Sequence, residues 1–424
     1  MEIKELYELF LKHPSITTDT RKLKEGDLYF ALKGPHFNGN LFAVQALESG
    51  AAYAIIDEDI ASDNSRLIKT DDVLTTLQDL AAYHRSKFNI PFLAITGSNG
   101  KTTTKELIHA VLSSHYITYT THGNLNNHIG IPLTILSVGD DAQIAVIEMG
   151  ANHMKEIEGY CKYARPNHGL ITNIGKAHLE GFGSAENVKK GKGELFAFLM
   201  ANNGHAFINA DDPNVLDLGS RLSQKTLYGS SATPPTGSIL SSDPFLSVTL
   251  SSPPGLQIAT HLVGGYNAPN VFAAVTVGRH FRVPDEKIKK AIEDYVPANS
   301  RSQMILKDNN TIILDAYNAN PGSMKAAVGN FATMKGANKI LFLGDMKELG
   351  ADSLKEHENL VALLKQHPWY RVILVGPEFA KVSHPYLHFA NSDEAQEWFQ
   401  KQHFSDTTIL VKGSRSMRME KVIE

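Results

Sequence analysis

One cysteine, Cys161, stands in 424 residues, so no intramolecular disulfide can form. That usage suits a reducing cytoplasm. No apolar run is long enough to span a bilayer. The stretch from Met1 to Phe10 alternates charged and apolar residues and lacks the apolar centre of a signal peptide. Neither sign of charge dominates: 41 Lys and Arg face 45 Asp and Glu, and a net charge of -4 leaves no electrostatic footprint for nucleic acid. Repeats and low-complexity tails are missing as well. A cytoplasmic protein without membrane insertion is expected.

What is present is a chain too long for one core, with the ordinary balance of a soluble protein, 42% hydrophobic and 20% charged. Up to about Phe88 it reads as a small α/β unit. Strands are expected at Asp27–Leu32 and Ala52–Ile56, with helices at Phe42–Ser49 and Val73–Lys87. Asn89-Ile90-Pro91 then breaks the helical pattern, because proline disfavours helix in the residue before it. Phe92–Ile95, Ile144–Ile147 and His168–Ile171 are short apolar runs of the kind that form buried parallel strands. Each ends in a polar or glycine-rich turn, where open α/β sheets collect ligands. The stretch rich in Ser, Pro and Thr from Ser230 to Pro254 reads as hairpins or loops at a sheet margin. A second boundary falls near Pro297-Ala298-Asn299. Beyond it, runs at Thr311–Leu314, Lys339–Leu343, Val372–Val375 and Thr408–Val411 repeat the strand-then-helix rhythm. The expected fold is therefore α/β in three domains, 1–88, 89–298 and 299–424.

Phe92 to Thr104 combines a strand, a glycine turn and a helix start. Glycines let backbone N–H groups close around phosphate oxygens, and the helix N-terminus favours the anion. The full Walker pattern wants a glycine where Ile95 stands, so the match is to the shorter Gly97-x-x-Gly100-Lys101-Thr102. Gly97, Ser98, Asn99, Gly100, Lys101, Thr102 and Thr103 are the expected ATP cradle. Lys101 would reach the β- and γ-phosphates, and the Thr102 hydroxyl would help hold Mg²⁺. Glu148 and His178 each follow a strand, and a carboxylate and an imidazole suit Mg²⁺ near transferred phosphate. Each residue alone could equally be a hydrogen-bonded carboxylate or a surface histidine. No Ser–His or Cys–His nucleophile signature is found.

Ile95 to Thr103, His122-Gly-Asn-Leu-Asn-Asn-His-Ile-Gly-Ile-Pro-Leu-Thr134, Ile147-Glu-Met-Gly-Ala151 and Ile171 to Glu180 together resemble the Mur ligase family, in that family's order. The resemblance runs from about Thr17 to Arg415. It implies a central P-loop parallel-sheet ATPase domain, a C-terminal Rossmann-like domain, and ATP-dependent amide-bond formation through an acyl phosphate. It also implies that Glu148 and His178 serve magnesium, and that Lys192, in Lys189-Lys-Gly-Lys-Gly-Glu194, is carbamylated. Read as sequence chemistry alone, Lys192 belongs to a solvated basic run.

The same resemblance assigns Asn267 and Asn270, in Gly264-Gly-Tyr-Asn-Ala-Pro-Asn270, to nucleotide placement, although Tyr266 stands where the family usually has histidine. It takes Arg301 to phosphate and Asp315 to ribose. Thr17-Thr-Asp-Thr-Arg21 is similar to the family's uridine-diphosphate domain, with Thr20 and Arg21 as substrate contacts. Asn38-Gly39-Asn40 replaces the family's Asp-Gly-His. Asn124, Asn126 and Asn127 would bind the sugar-peptide through neutral hydrogen bonds. Asp315 to Met324 resembles the segment of the branch that accepts D-alanyl-D-alanine, with Tyr317, Asn318 and Asn320 as substrate contacts. The implied partners are UDP-N-acetylmuramoyl-tripeptide and D-alanyl-D-alanine, bound by a monomer. A family ligase that takes a free amino acid, a folylpolyglutamate synthase and a non-catalytic nucleotide-binding regulator remain as alternatives.

Overall fold

The apolar runs become strands and the segments between them become helices, because each parallel pair needs a long crossover. The structure is a computed structural model that describes residues 1–62, 64–298 and 300–424; Asn299, at the second expected boundary, lies outside the described residues. The first unit holds helix α1 (Ile3–Lys12), strands β1 (Ile16–Thr17) and β2 (Leu28–Phe30), and a small hairpin of β3 (Lys33–Gly34) and β4 (Phe37–Asn38). Helix α2 (Ala43–Glu48), β5 (Tyr53–Ile56), β6 (Leu67–Lys69) and α3 (Val73–Arg85) complete it. Its sheet is parallel, in the order β1-β2-β5-β6.

The central sheet has six parallel strands: β7 (Phe92–Thr96), β8 (Thr118–Thr120), β9 (Ile144–Glu148), β10 (His168–Ile171), β11 (His205–Asn209) and β12 (Lys225–Tyr228). Their order is β12-β11-β10-β7-β9-β8, so β7 lies between the strands that lead to Glu148 and toward His178. Helices α4 (Lys101–Ser113), α5 (Gly130–Leu136), α6 (Glu156–Ala164), α7 (Leu179–Phe182), α8 (Ala185–Ala201) and α9 (Pro213–Gly219) provide the crossovers. The Ser230–Pro254 region contributes to an antiparallel three-stranded sheet of β13 (Gly237–Ser241), β14 (Phe245–Leu250) and β15 (Gln257–Val263). Helices α10 (Ala268–His280) and α11 (Asp285–Asp294) pack back against α4.

The C-terminal sheet is mixed. An antiparallel strand, β16 (Gln303–Lys307), precedes β17 (Asn310–Asp315) and was not expected from the sequence. Then come α12 (Pro321–Thr333), β18 (Lys339–Gly344), α13 (Ser353–Leu364), β19 (Arg371–Val375), β20 (Leu387–Phe389), α14 (Ser392–Gln400) and β21 (Thr408–Lys412). The order β16-β17-β21-β18-β19-β20 puts β17 and β21 side by side, so Asp315 pairs in register with Lys412. Among the described residues no helix is long and apolar enough to cross a membrane.

Candidate active site

The loop between β7 and α4 is shaped by its glycines. Gly97 has φ 145°, and a Cβ there would lie 1.9 Å from Thr172 Oγ1. Gly100 has φ 77° and caps α4, where a Cβ would meet Asn270 Oδ1 at 2.8 Å. Only glycine combines these angles with such close approach. The neighbouring strand end pins the loop: Asn99 N donates to Asn173 Oδ1 at 2.9 Å, and Thr172 Oγ1 donates to the Asn99 carbonyl at 2.6 Å. Lys101 Nζ donates to the carbonyls of Gly97 and Ser98, at 2.9 and 3.4 Å. Burial lowers its pKa, with Arg301 acting in the same direction and Glu148 opposing. A helix N-terminus with a cation folded over its loop is an anion cradle.

Glu148 ends β9 opposite Ile95 and is 1% exposed. Its Oε1 accepts from Thr102 Oγ1 at 3.2 Å and Asn126 Nδ2 at 2.7 Å, while Oε2 is buried without a partner among the described residues. His178, with φ 54°, caps α7, and its Nδ1 meets Glu348 Oε2 from the C-terminal unit. The hydrogen bond from His178 holds the Glu348 carboxyl below its ordinary range. Among the described residues no three His, Cys, Asp or Glu side chains form a closed metal cage. An orphaned carboxylate oxygen beside a hydroxyl fits Mg²⁺, which usually takes few protein ligands and completes its shell with phosphate and water.

The C-terminal unit supplies the opposite wall. Arg301 stacks on Tyr317, its Cζ 3.6 Å from the ring centroid. Asp315 accepts from Lys412 Nζ at 2.6 Å and from Ser302 N at 3.1 Å. Asn320 caps α12 through Ser323 N and donates its amide to Asn99 Oδ1, 2.7 Å away in the phosphate loop. Asn270 accepts from Thr104 Oγ1 and donates to Asn267, tying α10 to α4.

These groups surround one cavity of about 640 Å³. Ser98, Asn99, Gly100, Lys101, Thr102, Thr103, Asn124, Asn126, Asn127, Glu148, His178, Asn267, Asn270, Arg301, Asp315, Tyr317, Asn318 and Asn320 all line it, as does Tyr266. Four expected site residues do not. Gly97 opens the loop directly after β7, where it packs against Thr172. Thr20 and Arg21 sit in the first unit, where the exposed Arg21 is paired with Asp19 at 2.8 Å. The nearby Asn40 is buried and committed to Asp57, at 2.8 and 3.0 Å. Lys192 is fully buried, not part of a solvated run, and its Nζ donates to the carbonyl of Ala151, a cavity-lining residue, at 2.9 Å. The signal was there: Val188, Gly191, Lys192, Leu195, Phe196 and Leu199 form a single buried helical stripe, and Lys192 falls in it. Asn173, Glu348 and Lys412 also escaped the sequence reading, although Asn173 lies in the Ile171–Glu180 segment quoted above.

Family models match nearly the whole chain in three pieces: the Mur ligase family catalytic domain over residues 14–85, the Mur ligase middle domain over 95–278, and the Mur ligase glutamate ligase domain over 300–415. The chain belongs to the Mur ligase family. Within it, full-length relatives place it in the MurF branch. It is similar to the UDP-N-acetylmuramoyl-tripeptide--D-alanyl-D-alanine ligase of Escherichia coli, 36% identical over 96% of this chain and 92% of that protein. It is also similar to a MurF crystal structure from Acinetobacter baumannii, with TM-score 0.87, 30% identity, and coverage of 96% and 92%. The MurF ligase of Thermotoga maritima, solved with ADP, matches with TM-score 0.86 and 25% identity over 97% of each chain. The Mur ligase architecture here is the one described above: an N-terminal parallel sheet, a central parallel six-stranded sheet, and a C-terminal mixed Rossmann-like sheet.

Proposed function

We propose that this Mur ligase joins D-alanyl-D-alanine to UDP-N-acetylmuramoyl-tripeptide at the expense of ATP, in peptidoglycan precursor synthesis. The observation that carries the reading is one cavity lined together by the phosphate loop, by Glu148 with its unpartnered oxygen, and by Asn318 and Asn320 of the C-terminal unit. In this reading residues 1–88 bind the uridine-diphosphate end through Thr20 and Arg21, residues 89–298 bind ATP, and residues 299–424 receive the dipeptide. The protein acts in the cytoplasm as a monomer, with no nucleic-acid partner and no membrane insertion.

The tripeptide carboxylate takes the γ-phosphoryl group, releasing ADP, and the dipeptide amine then displaces phosphate from the acyl carbon. Lys101 and the α4 N-terminus offset the negative charge of the phosphates, usually the dominant contribution in phosphoryl transfer. Thr102, Glu148 and His178 would hold Mg²⁺, which when bound neutralises charge on the transferred group. Asn267 and Asn270, in the cavity wall, brace the loop helix and help place the nucleotide, while Arg301 and Asp315 reach it from the third domain. Asn124, Asn126 and Asn127 receive the sugar-peptide.

Lys192 deepens this reading. Burial, with Lys101 adding to it, puts its pKa well below the ordinary value. A neutral amine is the form that adds CO₂, and we assign Lys192 as carbamylated, with the anionic carbamate serving the metal site.

A fixed cation near Asn320 would favour a free diamino acid by gripping its second carboxylate. Gly322 and Ser323 follow Pro321 there, and Arg415 is tied to Glu420 at 2.8 Å and does not line the cavity. Phosphate release should therefore require ATP, UDP-muramoyl tripeptide and D-alanyl-D-alanine together. Release only with UDP-muramoyl dipeptide and diaminopimelate or lysine would overturn the assignment.

A further inference from the structure

His178 and Glu348 are 170 positions apart and meet only because the C-terminal unit is docked on the central one. Other contacts close the same seam. The Glu348 carbonyl accepts from Glu180 N at 3.1 Å, and Lys176 Nζ donates to Glu356 at 2.7 Å. The loop that carries Glu348 is firmly rooted. The carboxylate of Asp345, fully buried, accepts from the backbone N–H groups of Glu378 and Phe379 at 3.0 and 3.1 Å. Met346 N donates to His357 Nε2 at 3.1 Å, and Lys347 N donates to Ser414 Oγ at 2.9 Å. Glu348 has φ 63° and His178 has φ 54°, both in the left-handed region that non-glycine residues adopt at a cost. Two side chains held in unfavourable backbone, facing one another across a domain seam, make a constructed contact and not a chance surface pair.

An imidazole whose Nδ1–H is donated to a carboxylate has its ring orientation fixed and its Nε2 left as the lone-pair nitrogen. Among the described residues Nε2 of His178 has no hydrogen-bond partner. We infer that Glu348 is a positioning residue: it sets the tautomer and orientation of His178, and does so only when the third domain is docked. Docking would then complete the phosphate and metal site as well as deliver the dipeptide. The inference rests on the reading of His178 as a magnesium ligand proposed above.

The test uses the full chain and the variants Glu348→Asn, Glu348→Gln, Lys176→Met and His178→Ala. Asparagine tolerates the left-handed backbone but is one methylene too short to reach the ring. Histidine ¹⁵N NMR reads the tautomer, and calorimetry with a non-hydrolysable ATP analogue reads the Mg²⁺ requirement for nucleotide binding. The parent should show His178 protonated on Nδ1. Glu348→Asn should mix the tautomers and raise the half-saturating Mg²⁺ by roughly 10–100-fold, as loss of an outer partner of a ligand typically does. Glu348→Gln, which still accepts through its amide oxygen, should recover most of that loss. In the His178→Ala background, Glu348→Asn should add less than about twofold, because the two act as one unit.

An unchanged ring and Mg²⁺ titration in Glu348→Asn would overturn the inference. So would an equal loss in Lys176→Met, which would make the seam alone responsible. A changed tautomer in Glu348→Asn, with a Mg²⁺ titration untouched by His178→Ala, would overturn it differently, by removing the metal reading on which it rests.

Discussion

Thr102 and Glu148 share a hydrogen bond of 3.2 Å between the first turn of the loop helix and the end of strand β9. The other carboxylate oxygen, Oε2, is buried and unpartnered. An orphaned buried oxygen of this kind costs stability in the free protein and is tolerated where a cation completes it.

Glu148→Gln keeps the volume and one acceptor while removing the charge. Turnover should fall by roughly 10²–10³-fold, the usual scale for losing one stabiliser of developing charge, with partial recovery at high Mg²⁺. A magnesium titration that matches the parent would refute the metal role.

Lys101→Ala should leave the fold intact, because its ammonium contacts only the carbonyls of Gly97 and Ser98. Turnover should drop on the same scale, about 10²-fold or more. Thermal unfolding beside steady-state kinetics separates the two effects; near-normal kcat with unchanged ATP affinity would disprove the phosphate contact.

Lys192→Ala should be almost inactive, and carbamylation of the parent should appear as a ¹³C carbamate signal under labelled CO₂. Stability gives a second readout. The unfolded lysine protonates near its ordinary value of 10.5, whereas burial keeps the folded amine neutral well below it. Folding therefore releases a proton, and its cost grows as pH falls below that value. In CO₂-free buffer Lys192→Met should be more stable than the parent near pH 7, with the gain shrinking as pH rises. Denaturant midpoints across this range check it.

His168, His205 and His280 pack ring against ring at the end of the central sheet remote from the phosphate loop, with centroids 4.4 to 5.9 Å apart. Burial, helped by the neighbouring imidazoles, lowers His168 to about 3 and His205 to about 4 from an ordinary 6.5. Between those values the unfolded chain binds more protons, so stability should fall as pH drops from about 6.5 toward 4. His168→Gln should flatten that slope in urea unfolding followed against pH.

The sequence by itself determined what is local. Strand, glycine turn and helix follow one another between Phe92 and Ser113, so the phosphate loop was legible from the order of residues, as were Glu148 at a strand end and the Asn320-Pro321 helix start. Apolar runs of strand length marked β2, β5, β7, β9, β10, β17, β18, β19 and β21 to within a residue or two, but not the parallel strands β1, β6, β8, β11, β12 and β20. The antiparallel β16 was missed because its apolar run is only three residues, Met304 to Leu306, and no part of Gln303–Lys307 is fully buried; its strand character comes from pairing with β17. Long-range pairings were beyond reach for a similar reason. Lys412 meets Asp315 because sheet order places β21 beside β17. Lys192 loses its solvent because α8 packs its stripe inward against the sheet. Glu348 finds His178 only when two domains dock. A one-dimensional pattern carries the period of each element but not its neighbours, and a charged group's chemistry is decided by its neighbours.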